Sequence, residues 1–174
     1  AGTARVPRTC GSSDGQTAPE SPDGQSQRAA RIQDHPRRAA VIYLDTSALI
    51  KRFVAESGSE IVHSLVARED PVATSKIAYV ESHAALARRR RESSLSDRQF
   101  ALAVSQFERD WRSYVRMDLS DDVLGLARDL VQRHPLRGYD AVHLASALRL
   151  KREIEEEVTF VAADDRLLRA ARAE

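Results

Sequence analysis

The chain has 174 residues, 42% hydrophobic and 30% charged, which suits one domain with an appendage and leaves enough apolar material for a sizeable core. Lys plus Arg (27) nearly balances Asp plus Glu (26), which excludes a uniformly basic coat for non-specific nucleic-acid binding but not a local basic patch. A lone Cys10 excludes an intramolecular disulfide framework and a cysteine-built zinc site, and no apolar run reaches the roughly 18 residues of a membrane-spanning helix.

Residues 1–40 hold four of the six prolines and four of the seven glycines, mixed with Ser, Gln and Arg. Their apolar residues are mostly isolated alanines without helical or strand period. Such a segment cannot bury enough surface to offset its ordering entropy, so 1–40 is expected to be a disordered, dispensable extension of a domain spanning 41–174. It lacks the compact apolar stretch of a secretory leader, and with one cysteine the expected location is cytoplasmic. Only Lys51, Lys76 and Lys151 among the 27 basic residues are lysine, a skew typical of GC-rich bacterial coding sequence.

The texture changes at Val41. Val41-Ile42-Tyr43-Leu44 is a continuous apolar, β-rich run, as expected of a strand buried on both faces. Helices are predicted over 47–54 and 57–68, the latter with Ile61, Val62, Leu65 and Val66 on one face. A short strand over 71–75 leads into a helix over 76–92, with Ile77, Val80, Ala84 and Ala87 at helical spacing. Residues 96–113 form a further helix carrying the stripe Phe100, Val104, Phe107 and Trp111. Val115, Met117 and Leu119 alternate as a strand, and Ser120 caps a helix reaching 132. A loop over 134–138, a helix over 139–152, a strand over 158–162 and a last helix from 164 complete the pattern. Strands alternating with helices predict a parallel α/β sandwich.

The carboxylates sit at telling places. Asp45 and Asp164 each directly follow a predicted buried strand, and Glu81 lies early in the helix after another. Ligands of open parallel sheets bind outside the carboxyl ends of the strands, so these acids are placed to share a pocket. Glu81 shares the face of Ile77 and Ala84, and Asp140 that of Leu144 and Ala147, so both are expected to point inward. Inward carboxylates take up protons unless a cation neutralises them, and a hard ion such as Mg²⁺ or Mn²⁺ suits oxygen ligands. Asp45 and Asp164 serve equally as helix N-caps, and Glu81 as a solvated boundary residue.

The segment Val-Ile-Tyr-Leu-Asp-Thr-Ser-Ala-Leu-Ile-Lys-Arg-Phe (41–53) resembles the opening of PIN-domain ribonucleases, in particular the VapC toxins of bacterial toxin–antitoxin modules. The agreement continues through Tyr79-Val80-Glu81, Gly138-Tyr139-Asp140-Ala141-Val142-His143-Leu144-Ala145 and Thr159-Phe160-Val161-Ala162-Ala163-Asp164-Asp165-Arg166-Leu167. The resemblance implies a three-layer α/β sandwich with a central, mostly parallel sheet of four or five strands flanked by helices. It implies a metal-dependent ribonuclease in which Asp45, Glu81, Asp140 and Asp164 hold Mg²⁺ or Mn²⁺, with Thr46 or Ser47 as a hydroxyl near the metal. RNA is the implied substrate and a small antitoxin the implied partner, with a homodimer as a further expectation. The family often has Thr or Ser where Ala162 stands, and Asp165 adjoins the fourth acid.

Arg88, Arg89, Arg90 and Arg91 end one predicted helix, either as a solvated turn favoured by the helix dipole or as a phosphate-contacting patch. The Phe100–Trp111 stripe is read as core or as a surface for an antitoxin helix, and His143 as structural. Alternatives are a PIN-domain nuclease of RNA processing outside toxin–antitoxin systems and a catalytically silent PIN-like binding module. A haloacid-dehalogenase-like phosphatase needs a second Asp where Ser47 stands, and a response-regulator receiver needs a Lys after a late strand.

Overall fold

Strands and helices alternate along the computed structural model, which describes residues 2–4, 40–68, 70–154 and 156–174. In chain order they are β1 (Gly2–Ala4), β2 (Ala40–Leu44), α1 (Thr46–Leu49) extended by a 3₁₀ turn (Ile50–Arg52), α2 (Ser59–Val66), β3 (Val72–Ser75), α3 (Ile77–Arg91), α4 (Asp97–Trp111), β4 (Val115–Met117), α5 (Asp121–Arg133), α6 (Gly138–Ile154), β5 (Glu157–Ala162) and α7 (Asp165–Ala173). The sheet order is β1-β5-β2-β3-β4, parallel from β5 to β4, with β1 antiparallel at the edge. The three-layer α/β sandwich expected from the sequence is the fold observed.

β2 explains the layering. A strand apolar at every position is stable only when both sheet faces are covered. Val41 and Tyr43 accordingly pack with Phe160 of β5 and with Leu130, Leu144 and Leu167 from α5, α6 and α7. Ile42 and Leu44 face the opposite way, into a cluster with Leu49, Val62, Phe107 and Trp111 from α1, α2 and α4. Gly58, at φ 86°, occupies the left-handed backbone conformation that starts α2, where a side chain would be strained. No helix among the described residues is long and apolar enough to cross a membrane.

Three expectations need correction. The buried face of α3 is Ala78, Ser82 and Leu86, while Val80, placed inward by spacing, is 64% exposed. The spacing fixed the period of this helix but not its rotation, and α3 turns Tyr79 and His83 toward α4 instead. On α2, Ile61 likewise faces solvent while Val62 and Leu65 are buried. Finally, Gly2–Ala4 lie in the segment expected to be disordered, yet they pair with Phe160, Val161 and Ala162 along the free edge of β5. Residues 5–39 lie outside the described residues.

Because β1 closes that edge, a chain starting at Ala40 is expected to lose about 1–2 kcal/mol, a melting shift of roughly 2–8 °C, from a few net hydrogen bonds. The cavity at the carboxyl ends of the parallel strands should persist, since no residue of β1 lines it. Circular-dichroism melts of both chains check this. An unchanged melting temperature would mean that β1 contributes nothing.

Candidate active site

The parallel sheet delivers Asp45 at the carboxyl end of β2. Its carboxylate caps α1, accepting from the Ala48 amide at 2.8 Å, and both oxygens accept from the Ser47 hydroxyl at 2.9 Å. Ser47 Oγ in turn accepts the Ala163 amide hydrogen at 2.9 Å, tying the start of α1 to the end of β5. Asp45 is only 4% exposed. Burial pushes its carboxyl above the usual range, against the lowering effect of His143 and the Ala48 and Ser47 donors. The N-cap reading and the pocket reading therefore both hold: the capping geometry orients the acid.

Glu81 is fixed by side chains from two other elements. Thr46 Oγ1 donates to its Oε2 in a short contact, and His143 Nε2 lies 3.0 Å from the same oxygen and 3.0 Å from Thr46 Oγ1. Because an ionised carboxylate only accepts, the ring hydrogen belongs on Nε2. Nδ1 then faces the buried Tyr43 hydroxyl at 3.3 Å. Desolvation raises the Glu81 carboxyl, but the hydrogen bonds from His143 and Thr46 outweigh it and hold the acid below its ordinary value. His143 is buried, as a structural histidine would be, but its contact makes it the clamp that positions Glu81. The signal was available: His143 stands three residues after Asp140 on the inward face of α6.

Asp45, Glu81 and Asp140 line one cavity of about 630 Å³. Asp140 is half-buried near the start of α6, and desolvation raises its carboxyl despite the Arg137 amide, with the charge of Asp164 adding to the rise. Asp164 itself does not line the cavity, although its neighbour Ala163 does. It caps α7, accepting from the amides of Arg166 at 2.7 Å and Leu167 at 3.1 Å. Desolvation is again opposed there, by those amides and the Arg166 guanidinium, and the net effect is a lowered carboxyl. Asp164 thus caps α7 and acts on Asp140 through its charge.

The arginine run divides. Arg88, Arg89 and Arg91 line the cavity, whereas Arg90 turns away and covers the Phe100 ring at 4.4 Å. Arg89 is paired with Glu56, which also holds the buried Lys51 at 3.0 Å. Arg88 and Arg91 have no acid partner among the described residues, and Arg137 joins them on the cavity wall. Sequence reading did not find Glu56, Lys51 or Arg137 there. One cavity therefore combines four carboxylates, of which Glu56 is already paired with Lys51 and Arg89, with a basic rim.

The chemistry of these donors fits a hard divalent cation. The hydrogen bonds to Asp45 all come from neutral groups, and burial disfavours its charge, so a cation would offset a cost the chain leaves standing. No group of three or more His, Cys, Asp or Glu among the described residues forms a ready-made cage. Mg²⁺ does not require one: it is commonly held by one or two carboxylates and completes its shell with water and substrate phosphate.

Known proteins share this architecture. The PIN-domain family model matches residues 42–173. Ribonucleases VapC45 and VapC49 of Mycobacterium tuberculosis are each 38% identical to the chain over 108 residues, covering 62% of it and 75% of their own length. Ribonuclease VapC47 of the same species is 32% identical over 136 residues, 76% of this chain and 90% of its own. Among solved structures, M. tuberculosis VapC20, a sarcin–ricin-loop-cleaving toxin, matches with a TM-score of 0.55 at 21% identity, covering 74% of this chain and 94% of that one. That likeness is one of fold.

Proposed function

We propose a reading that proceeds from one premise: the chain belongs to the PIN-domain family and, within it, to the VapC ribonucleases. It is a ribonuclease that hydrolyses RNA phosphodiester bonds with Mg²⁺ or Mn²⁺, acting as the toxin of a toxin–antitoxin pair. The observation that carries the site assignment is the convergence of Asp45, Glu81 and Asp140 on one cavity with a basic rim.

When bound, the divalent ion supplies Lewis acidity toward a phosphoryl oxygen and lowers the pKa of a coordinated water. Asp45 and Asp140 are the principal ligands, and Glu81 completes the carboxylate set in the orientation that Thr46 and His143 impose. Ser47 keeps Asp45 in register with the end of β5. Asp164 raises the negative potential around Asp140, which favours a cation there. Arg88, Arg91 and Arg137 bind phosphate oxygens and hold the RNA backbone over the acids. Arg89 contributes less, because Glu56 already neutralises it.

A small antitoxin follows from the kinship with VapC proteins. Its docking face is not the expected aromatic stripe, because Phe107 and Trp111 are buried within this chain. Purified protein is expected to cleave RNA with Mg²⁺ or Mn²⁺ and to stop on addition of EDTA, read on a denaturing gel. Cleavage undiminished by EDTA would overturn the metal reading. Co-expression with an adjacent small reading frame should yield a complex that no longer cleaves.

A further inference from the structure

Tyr139 has no part in the chemistry above, yet it lines the same cavity and directly precedes Asp140 in the first turn of α6. The residue is 61% exposed. The other tyrosines are engaged: Tyr43 stacks on Phe160, Tyr79 donates to Glu108 at 2.7 Å, and Tyr114 meets Trp111 edge-on. Tyr139 makes no hydrogen bond or ring contact among the described residues. An aromatic left in water forgoes the stabilisation that packing would give it.

The surroundings select its occupant. Arg88, Arg91 and Arg137 give this wall the charge that a phosphate backbone requires. A backbone held by such cations leaves its bases free to project, and proteins hold single-stranded RNA by stacking those bases on exposed aromatic rings. Tyr139 and Asp140 line the same cavity, so a nucleotide whose phosphate meets an ion held at Asp140 brings its base to the wall that carries the Tyr139 ring. We infer that Tyr139 is the stacking platform for a nucleobase beside the scissile phosphate, and so a positioning residue for single-stranded RNA. This rests on the ribonuclease reading above.

The test uses a short single-stranded RNA carrying the fluorescent base 2-aminopurine at each internal position in turn. Binding is followed with Ca²⁺ replacing Mg²⁺, and cleavage of the unlabelled RNA with Mg²⁺. The unaltered protein should quench 2-aminopurine at one position, or at two adjacent ones. Tyr139→Ala should abolish that quenching and raise KM about 10-fold, with kcat and melting temperature nearly unchanged. Tyr139→Phe, which keeps the ring, should restore quenching and KM. Persistent quenching or an unchanged KM in Tyr139→Ala would overturn the inference. So would a variant that loses only antitoxin binding, which would make Tyr139 a protein contact. Quenching without cleavage would sink the ribonuclease reading and leave the stacking standing, whereas cleavage without quenching would sink the stacking alone.

Discussion

Asp45→Asn is expected to abolish RNA cleavage while raising the melting temperature of the ion-free protein. The side-chain oxygen of Asn still accepts from the Ala48 amide and the Ser47 hydroxyl, and Asn is as good an N-cap as Asp, so the local geometry survives. What disappears is a buried negative charge that binds the ion. Altering even an outer partner of a metal ligand typically costs 10–100-fold, so loss of a principal ligand should reduce cleavage by at least about 100-fold. Stability moves the other way. Burial raises the Asp45 carboxyl above its unfolded value of about 3.9, so the folded state holds its proton more tightly than the unfolded chain does. Ion-free stability is therefore highest below the unfolded value and falls as pH rises through the raised folded one. Asp45→Asn escapes that fall. The gap in melting temperature should open across this window at about 2–4 °C per kcal/mol and narrow when Mg²⁺ stabilises the unaltered protein. A variant less stable than its parent at neutral pH in EDTA would refute the buried-charge argument, and one that still cleaves would refute the site.

Phe107→Ala is expected to destabilise the fold by about 3–5 kcal/mol, a fall in melting temperature of roughly 6–20 °C. Phe107 is fully buried at the centre of an aromatic cluster, 5.5 Å from the ring centroids of both Phe53 and Trp111 and 5.8 Å from Tyr79. Truncation would leave a void among rigid rings that cannot collapse into it. Leu102 on the same helix is 57% exposed, and Leu102→Ala should stay within about 0.5 kcal/mol. Calorimetry on the two variants separates the readings of α4. Equal shifts would return Phe107 to the pool of surface anchors, whereas the expected contrast commits it to the core.

The sequence made β2 legible because a strand apolar at every position has one stable environment, and the two clusters on either side of Tyr43 and Leu44 are that environment. It made Asp45 legible because a strand end in a parallel sheet is a place, not only a residue type. The rotation of α3 was not legible. That helix carries small or apolar residues on several sides, so helical spacing allowed Ile77 and Val80 as readily as Ala78, Ser82 and Leu86. The aromatic stripe of α4 declared that something covers it, and a stripe cannot say whether the cover is the same chain. The division of Arg88 to Arg91 and the clamp of His143 on Glu81 depend on partners distant in the chain, 33 positions for Arg89 and Glu56 and 62 for His143 and Glu81, or on side-chain direction. A pattern in one dimension records neither. Convergence of Asp140 with Asp45 came from family resemblance, and the common cavity now supplies a physical basis for it.

The link from Ser47 to Ala163 has a consequence for synthesis. β2 is among the first strands of the domain to leave the ribosome, but one of its two neighbours, β5, is made almost last. Until that strand emerges, β2 is a sheet edge and the Ser47 hydroxyl lacks the Ala163 amide that locks it. Domains fold as units once their contacts are available, so the acidic pocket cannot be assembled before β5 has emerged. Frameshifts or stop codons anywhere before β5 should yield harmless fragments, and activity should appear only once β5 is in place. For a protein whose product is damage to RNA, the order of its strands delays that damage until the last strand of the domain has been made.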